Sequence, residues 1–579
     1  MQNLKGQRPT PFTSGSIYSD RSEDNLQEQL HLEKVVEVGS KQLVIMASLH
    51  KSKGGQFLHG GTDISQVDEL LKDYDKRRPH LKFDNEYTPS PTPGGSPELA
   101  AVSEKLVSPV SPDVVSPGIV PLAHLPKKTQ KEYRRIKFRN LSSEQQFSIL
   151  DIHASKRSTF TGFFTLFWVT LGVMFIRRLT VNYLERQELM GMNVTRIFLK
   201  DLHKVALTDL WMYCMTYFGF GVQLAIKNGY ITWERCGWYL QHLYQTAFLF
   251  FFAWFSNYMD FPWIGSVFLL LHSFVLLMKQ HSFAFYNGYF WGISRELKES
   301  QGKLKRLEDS SSKDIEKETK LLASINFCKE EIESQSNNGI RFPDNITFFN
   351  HFQYTMFPTL VYQVEYPRTD KIRWNYVFEK AAGVFGVISM LILVAETYLY
   401  PISMQAIALR NTSFEERLVK YPLILLDIVP PFVLITLLVF YLIWDSILNG
   451  IAELTRFGDR NFYGEWWNCS SWDQFAKEWN VPVHRFLLRH VYHSSMSSLK
   501  LNKFQATLLT FLLSSVIHEF VMFSIFKKLR GYLLFLQMFQ LPLITLSTYF
   551  KGHWIIGNAF FWFGMLTGPS IMCSLYLTF

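Results

Sequence analysis

"DRNFYGEWWNCSSWDQFAKEWNVPVHRFLLRHVYHSS" (residues 459–495) follows one apolar run and precedes another. It sets Phe462, Tyr463, Trp466, Trp467, Trp472 and Trp479 among Asp459, Glu465, Asp473 and Glu478. A soluble loop has little use for so many aromatic rings, and a bilayer span cannot hold so many charges. The stretch therefore reads as a shelf of a membrane protein, its aromatic rings docked at the membrane interface.

Composition supports that reading. Of the 579 residues, 47% are hydrophobic and 16% aromatic. The mean hydropathy is +0.02 although a long polar tail opens the chain, so the apolar excess must sit in spans. The net charge of +9 points to basic flanks facing anionic headgroups. No nucleic-acid motif is present, and none is expected as a partner. Cys214, Cys236, Cys328, Cys469 and Cys573 show no CxxC spacing, which indicates neither a zinc cluster nor a disulfide framework. No metal or resident cofactor is expected.

Residues 1–126 are rich in Ser, Pro, Gly, Lys and Glu and cannot bury enough apolar surface to offset ordering entropy. They are expected to form a disordered cytosolic tail whose Ser-Pro and Thr-Pro pairs at Thr88, Thr92, Ser96, Ser108, Ser111 and Ser116 are open to phosphorylation. No cleavable signal precedes the first apolar run, which is expected to act as an uncleaved insertion signal. Residues 127–579 form the membrane domain. With about 20 apolar residues needed per crossing, nine all-α spans are predicted: 160–176, 205–226, 238–256, 261–278, 381–400, 423–444, 504–526, 531–549 and 555–578. The basic block "KKTQKEYRRIKFR" (127–139) predicts a cytosolic N-terminus. The long segments 279–380 and 445–503 then fall on the cytosolic side and the C-terminus on the lumenal side. Arg177, Arg178 and "KKLR" (527–530) fall on the side that the positive-inside rule disfavours.

In the seventh span, "FQATLLTFLLSSVIHEFVMFSIF" (504–526), helical spacing places Thr507, Thr510, Ser514 and His518 in one polar stripe. Such groups face a bundle interior or a watery chamber, because hydrocarbon offers them no partners. His518 lies about 20 Å below the cytosolic end of its helix. It is either a structural histidine satisfied by its neighbours or a general base for a buried alcohol. Asp209 and His272 show weaker versions of the same ambiguity. Within "KEWNVPVHRFLLRHVYHSS" (477–495), Asn480 suits a helix cap and Pro482 a first turn. Val483, Phe486, Leu487 and Val491 then share one face, with Arg485, Arg489, Tyr492 and His493 elsewhere, as in a helix lying in the interface. The basic face is either a phosphate site or a plain membrane anchor.

"FYGEWWN" (462–468) resembles the FYxDWWN signature of acyl-CoA-dependent sterol and diacylglycerol acyltransferases of the membrane-bound O-acyltransferase superfamily. The resemblance runs from about residue 130 to the C-terminus. "MKQHSFAFYNGYFWG" (278–292), "MFPTLVYQVEYPRTDKIRWNYVFEK" (356–380) and "RHVYHSSMSSLKLNKFQATLLTFLLSSVIHEFVMFSIFKKLR" (489–530) are similar to the yeast-type sterol branch. One departure stands in the signature, built here by Phe462, Tyr463, Glu465, Trp466, Trp467 and Asn468: Glu465 replaces Asp. The resemblance implies His518 as catalytic base with Asn480 as its partner. It also places Gln474, Lys477, Trp479, His484, Tyr492, Lys503 and Ser514 along the acyl-CoA path. It further implies a multi-helix bundle with crossing tunnels, a homodimer or higher homo-oligomer, contact with membrane lipids and residence in the endoplasmic reticulum. The expected activity is acyl transfer from acyl-CoA, as co-substrate, to the 3β-hydroxyl of a sterol such as ergosterol. Diacylglycerol acylation is the alternative within the family. A lipid transporter is the alternative outside it, although no internal repeat of the kind transporters show is present.

Overall fold

The computed structural model describes residues 31–38, 41–48, 146, 149–150, 161–309, 314–335, 339–547, 549 and 553–579. The chain divides into two units, Met1–Val120 and Pro121–Phe579. In the first, β1 (His31–Val38) pairs antiparallel with β2 (Lys41–Ser48), His31 opposite Ser48 and Val38 opposite Lys41. Runs such as "KQLVIMAS" are rich in residues that favour strands. This hairpin falls within the segment expected as the N-terminal tail. The Ser-Pro and Thr-Pro sites lie outside the described residues.

The second unit is helical, and every predicted span has a helical counterpart. The first is α1 (Thr161–Arg186), followed by the short α2 (Met192–Leu199). The second is broken: α3 (Leu202–Met215) stops at Thr216 and α4 (Tyr217–Lys227) resumes, with Thr216 Oγ1 donating to the Tyr213 carbonyl at 2.7 Å. A π turn, Trp233–Gly237, then leads into α5 (Trp238–Tyr258). The fourth span is part of α6 (Trp263–Glu308), a 46-residue helix that runs past the apolar window, and α7 (Ile315–Glu333) folds back against it. The short α8 (Phe348–Met356) precedes α9 (Trp374–Val394), which continues through a π turn, Ala395–Leu399, into α10 (Tyr400–Ala408).

The sixth span, α11 (Phe414–Phe440), carries Pro422, Pro430 and Pro431 and passes through a π turn, Tyr441–Ile447, into α12 (Leu448–Leu454). Prolines and π turns of this kind are tolerated where neighbouring helices re-satisfy the freed carbonyls. The stretch quoted first becomes α13 (Trp472–Glu478), α14 (Val481–Phe486), a π turn Leu487–Tyr492 and α15 (His493–Ser498). The seventh span is α16 (Lys503–Phe526). A capping box opens it, in which Gln505 N donates to Asn502 Oδ1 at 2.9 Å and Asn502 N to Gln505 Oε1 at 3.1 Å. The eighth is broken into α17 (Tyr532–Met538) and α18 (Gln540–Ser547), and α19 (Trp554–Thr578) is the ninth.

Among the described residues, five continuous stretches are long and apolar enough to cross a bilayer: α6, the α9–α10 stretch, the α11–α12 stretch, α16 and α19. The basic side chains at 527–530 are partly consumed by the fold. Arg530 Nη1 donates to the Tyr576 carbonyl at 2.9 Å, at the end of α19, and Lys527 Nζ bonds Asn257 Oδ1. Two of the charges that count against the predicted topology thus act as internal contacts.

Candidate active site

Three of the signature's aromatic residues lie inside the protein, whereas Glu465 and Asn468 are exposed. Phe462, Tyr463 and Trp466 are 1–2% exposed and pack with Phe357, Phe440, Phe457 and Phe561 in one cluster. Aromatics expected to dock at the membrane interface are therefore core, and burying several rings of 150–250 Å² each makes this cluster a principal anchor of the fold. The turn itself is held from three directions. Gly464 N donates to the Glu478 carbonyl at 2.8 Å, and a Cβ at Gly464 would lie 2.9 Å from Glu478 Cγ, so only glycine fits this approach without a shift. From α19, Asn558 Nδ2 donates to the carbonyls of Trp467 (3.1 Å) and Cys469 (2.9 Å), and Trp562 Nε1 to that of Trp467 (3.1 Å). Glu465 is exposed, and its Oε2 accepts from Asn468 Nδ2 at 3.0 Å across the turn. The extra methylene of this Glu serves a local clamp with no long-range partner among the described residues.

Tyr463 reaches further. Its hydroxyl accepts from Leu150 N (3.2 Å) and donates to Asp445 Oδ1 (3.3 Å), while Lys380 Nζ donates to Asp445 Oδ2 at 2.7 Å. Lys380 and Asp445 are 3% and 0% exposed, on α9 and on the π turn after α11. A second buried carboxylate, Glu453, is held by Arg373 (2.9 Å) and Arg460 (2.6 Å). None of these charges was anticipated. Their only trace in the sequence is that Lys380 and Asp445 bound the apolar runs 381–400 and 423–444.

After the signature, Trp479 packs edge-on against Trp466, centroids 4.7 Å apart, and stands over Phe440 at 5.1 Å. Gln474 bridges Ser470 N (3.3 Å) and Glu478 Oε1 (3.2 Å). Lys477 forms an exposed pair with Asp473 at 2.8 Å. Asn480 caps α14, its Oδ1 accepting from Val483 N at 3.2 Å, which leaves the amide hydrogens of Nδ2 unspent. His484 is half-buried, and burial followed by the charge of Lys477 holds its pKa below the usual histidine value. Cys469 is buried beside Glu478, and these push its thiol up to about 12, so it is no nucleophile at neutral pH.

The basic face predicted for an interfacial helix is not free. Arg485 Nη1 donates to Asp459 Oδ2 at 2.6 Å, and Arg489, 3% exposed, donates to the Tyr362 carbonyl at 3.1 Å. Phe486 packs on Leu360 and Val361. The segment is seated on the protein, and among the predicted acyl-CoA contacts the exposed cations are Lys477 and Lys503.

The π turn that ends at Tyr492 packs against α16, which also contacts α6, α15 and α17. On α16, Ala506, Ser515, Glu519 and Met522 form the buried face. Thr507, Thr510 and Ser514 are half-buried and His518 is exposed, so the predicted polar stripe lies on the open side. His518 Nδ1 is 2.8 Å from the Ser514 carbonyl. A carbonyl can only accept, so Nδ1 carries the proton and Nε2 presents its lone pair outward. No hydrogen bond joins His518 to Asn480. The adjacent Glu519 turns the other way, accepting from Gly531 N (2.7 Å) and the Tyr576 hydroxyl (2.6 Å), and so ties α16 to the start of α17 and to α19. The two other ionisable residues singled out in the spans meet each other: His272 Nδ1 bonds Asp209 Oδ1 between α6 and α3. Among the described residues no three His, Cys, Asp or Glu side chains gather as a metal site.

Comparison with known proteins gives this geometry its context. A relative from Saccharomyces uvarum named sterol O-acyltransferase 2 is 48% identical over 431 residues, 73% of this chain and 66% of its own length. This chain thus accounts for just under two thirds of that relative. A sterol O-acyltransferase 2 of Candida albicans is 46% identical over 461 residues, covering 73% of this chain and 76% of the relative. A diacylglycerol O-acyltransferase 1 of Dictyostelium discoideum is 30% identical over 239 residues, 41% of this chain. The MBOAT family, membrane-bound O-acyltransferase, matches residues 158–578. With that match covering the whole helical unit described above, the chain belongs to the membrane-bound O-acyltransferase family.

Proposed function

We propose that this protein is an acyl-CoA-dependent sterol O-acyltransferase that makes steryl esters from a long-chain acyl-CoA and a membrane sterol such as ergosterol. The observation that carries the choice of acceptor is the 46% identity to a named sterol O-acyltransferase over 76% of that relative, against 30% over 41% of this chain for the diacylglycerol enzyme. The chemistry follows from His518. Its Nε2 takes the proton of the sterol hydroxyl as the oxygen attacks the thioester carbonyl. The C–O ester bond forms, the C–S bond breaks, and the departing CoA thiolate recovers that proton from His518. The unspent amide of Asn480 serves as hydrogen-bond donor to the developing oxyanion, and no covalent enzyme intermediate is needed because the thioester is already activated.

Acyl-CoA is a co-substrate. Its phosphates stay at the mouth with Lys477 and Lys503, while its thin pantetheine arm passes Trp479, His484 and Tyr492 towards Ser514 and His518. Residence in the endoplasmic reticulum membrane with a cytosolic N-terminus, and assembly as a homodimer or higher homo-oligomer, belong to the same reading. The test is purified protein given labelled oleoyl-CoA with ergosterol, cholesterol or diacylglycerol. Steryl ester is the expected product. Triacylglycerol as the main product overturns the sterol assignment, and no ester with any acceptor overturns acyl transfer.

A further inference from the structure

Three tripeptides of the chain fit the Asn-X-Ser/Thr pattern that accepts an N-linked glycan: Asn193-Val194-Thr195, Asn345-Ile346-Thr347 and Asn411-Thr412-Ser413. The pattern does not choose between them, but the surroundings of the three amides do. Asn345 is 1% exposed, and its Nδ2 donates to Asn287 Oδ1 at 2.8 Å and to the Tyr362 hydroxyl at 3.1 Å, which spends both of its hydrogens. Asn193 is exposed as a residue, yet its Nδ2 donates to Oε1 of the buried Glu396 at 2.8 Å, while Oε2 of the same carboxylate accepts from Val194 N at 2.7 Å. The space beside Glu396 is closed, since a Cβ on Gly191 would lie 2.2 Å from its Cγ. A sugar fits at neither nitrogen.

Asn411 differs from both. It is exposed in the turn between α10 and α11, and its side chain makes no hydrogen bond among the described residues. Other groups close that turn. Thr412 donates to the Leu409 carbonyl through N (3.1 Å) and Oγ1 (2.9 Å), and Ser413 Oγ caps α11 by accepting from Glu416 N at 3.2 Å, which leaves the Ser413 hydroxyl hydrogen unspent. A group attached to Asn411 Nδ2 therefore displaces no contact of the folded chain. Its distance from the bilayer fits as well. The helical stretch that ends at Asn411 starts at Trp374 and has 38 residues, about 57 Å at the α-helical rise and nearly twice the hydrocarbon thickness of about 30 Å. Counted from Lys380, where the apolar run begins, Asn411 comes after about 46 Å of helix and so stands about 16 Å past the hydrocarbon. Glu415, Glu416, Arg417 and Lys420 follow at once, which keeps the start of α11 in water.

We propose that Asn411 carries an N-linked glycan. The inference rests on the endoplasmic reticulum placement above, in which the turn between α10 and α11 is lumenal. The donor is a lipid-pyrophosphate-linked oligosaccharide and the catalyst a lumenal glycosyltransferase. Asn411 Nδ2 attacks the anomeric carbon, the N–C bond forms, the C–O bond to pyrophosphate breaks, the amide gives up one proton to a base of that transferase, and lipid pyrophosphate departs.

The full chain is expressed in a eukaryotic host, purified from its microsomes and digested with peptide N-glycosidase in heavy-oxygen water, which marks each formerly glycosylated asparagine by mass. Position 411 should carry the mark, and positions 193 and 345 should not. The accompanying shift in gel mobility should vanish in Asn411→Gln and persist in Asn193→Gln. A second variant, Asn411→Cys, reports placement by itself. In sealed microsomes it should resist a membrane-impermeant maleimide added outside and react once the membrane is opened, with labelling at residue 411 followed by mass spectrometry. An unmarked Asn411 together with that lumenal labelling pattern overturns the glycan and leaves the placement standing. Labelling of Asn411→Cys from outside overturns both. A mark at Asn193 or Asn345 in place of Asn411 overturns the selection made by burial and hydrogen bonding.

Discussion

The bond from His518 Nδ1 to the Ser514 carbonyl fixes which nitrogen is basic, so His518 acts by tautomer as much as by position. His518→Ala should lower turnover by about a thousandfold or more while acyl-CoA binding and the melting temperature stay close to the parent; near-normal turnover would remove it as the base. Asn480 combines two roles that one substitution can separate. Ser caps a helix about as well as Asn but lacks the amide donor. Asn480→Ser should therefore keep the melting temperature and lower kcat by about a hundredfold, and full activity in that variant would reduce Asn480 to a cap. Glu465 clamps only Asn468 across its turn, so Glu465→Asp should change turnover by less than about threefold. His484 gives a pH signature. Its folded pKa lies below the unfolded value of about 6.5, so between the two the unfolded chain binds more protons, and this contribution is fully present above about 6.5 and is lost as pH falls below it. His484→Gln should flatten that part of the melting temperature profile between pH 5 and 7.5, and an unchanged slope would reject the assignment.

At the scale of elements, the pair formed by Lys380 and Asp445 joins two membrane helices to the signature turn through Tyr463. Removing one partner strands a buried charge. Lys380→Met should cost about 3–5 kcal/mol in stability, whereas Lys380→Met with Asp445→Leu should recover most of it, as read from melting in detergent; a double variant no better than the single would show that the polar link to Tyr463 is itself required. These residues also show where the sequence is opaque. Helix identity was legible because apolar runs have the length of a bilayer, and the polar stripe that carries His518 was legible because helical spacing alone sets it. A window of apolar residues stops at the first charge, however, and the helices do not. Lys279, Lys380 and Asp445 each border a predicted span, yet α6 runs on to Glu308, α9 begins at Trp374, and the helix after α11 continues to Leu454. Lys279 donates to the carbonyls of Tyr354, Thr355 and Phe357, contacts set by tertiary packing that no local pattern encodes. The same limit explains the signature, whose rings look interfacial in sequence because nothing local reveals the helices that cover them.

For the whole molecule, the decisive quantity is whether the number of crossings is odd. Nine predicted spans have helical counterparts, but α3 with α4, and α17 with α18, are each broken near the middle, and a broken segment either crosses or turns back. If all nine cross, the N-terminus and C-terminus lie on opposite faces, and Lys477 and Lys503 share the cytosolic face with the N-terminus. Epitope tags at the two ends of the protein in sealed microsomes test this directly. Protease added outside should remove the N-terminal tag and spare the C-terminal one, and a membrane-impermeant maleimide should reach Cys236, exposed between α4 and α5, from outside. If both tags are removed, one broken segment does not cross. Accessible Cys236 then assigns the failure to α17 and α18, because the chain has already returned to the cytosolic side by residue 236. Protected Cys236 assigns it to α3 and α4 instead, and Lys477 and Lys503 would then face the lumen, away from cytosolic acyl-CoA. The protection pattern at these three points thus tests the placement of the CoA mouth as well as the count of spans.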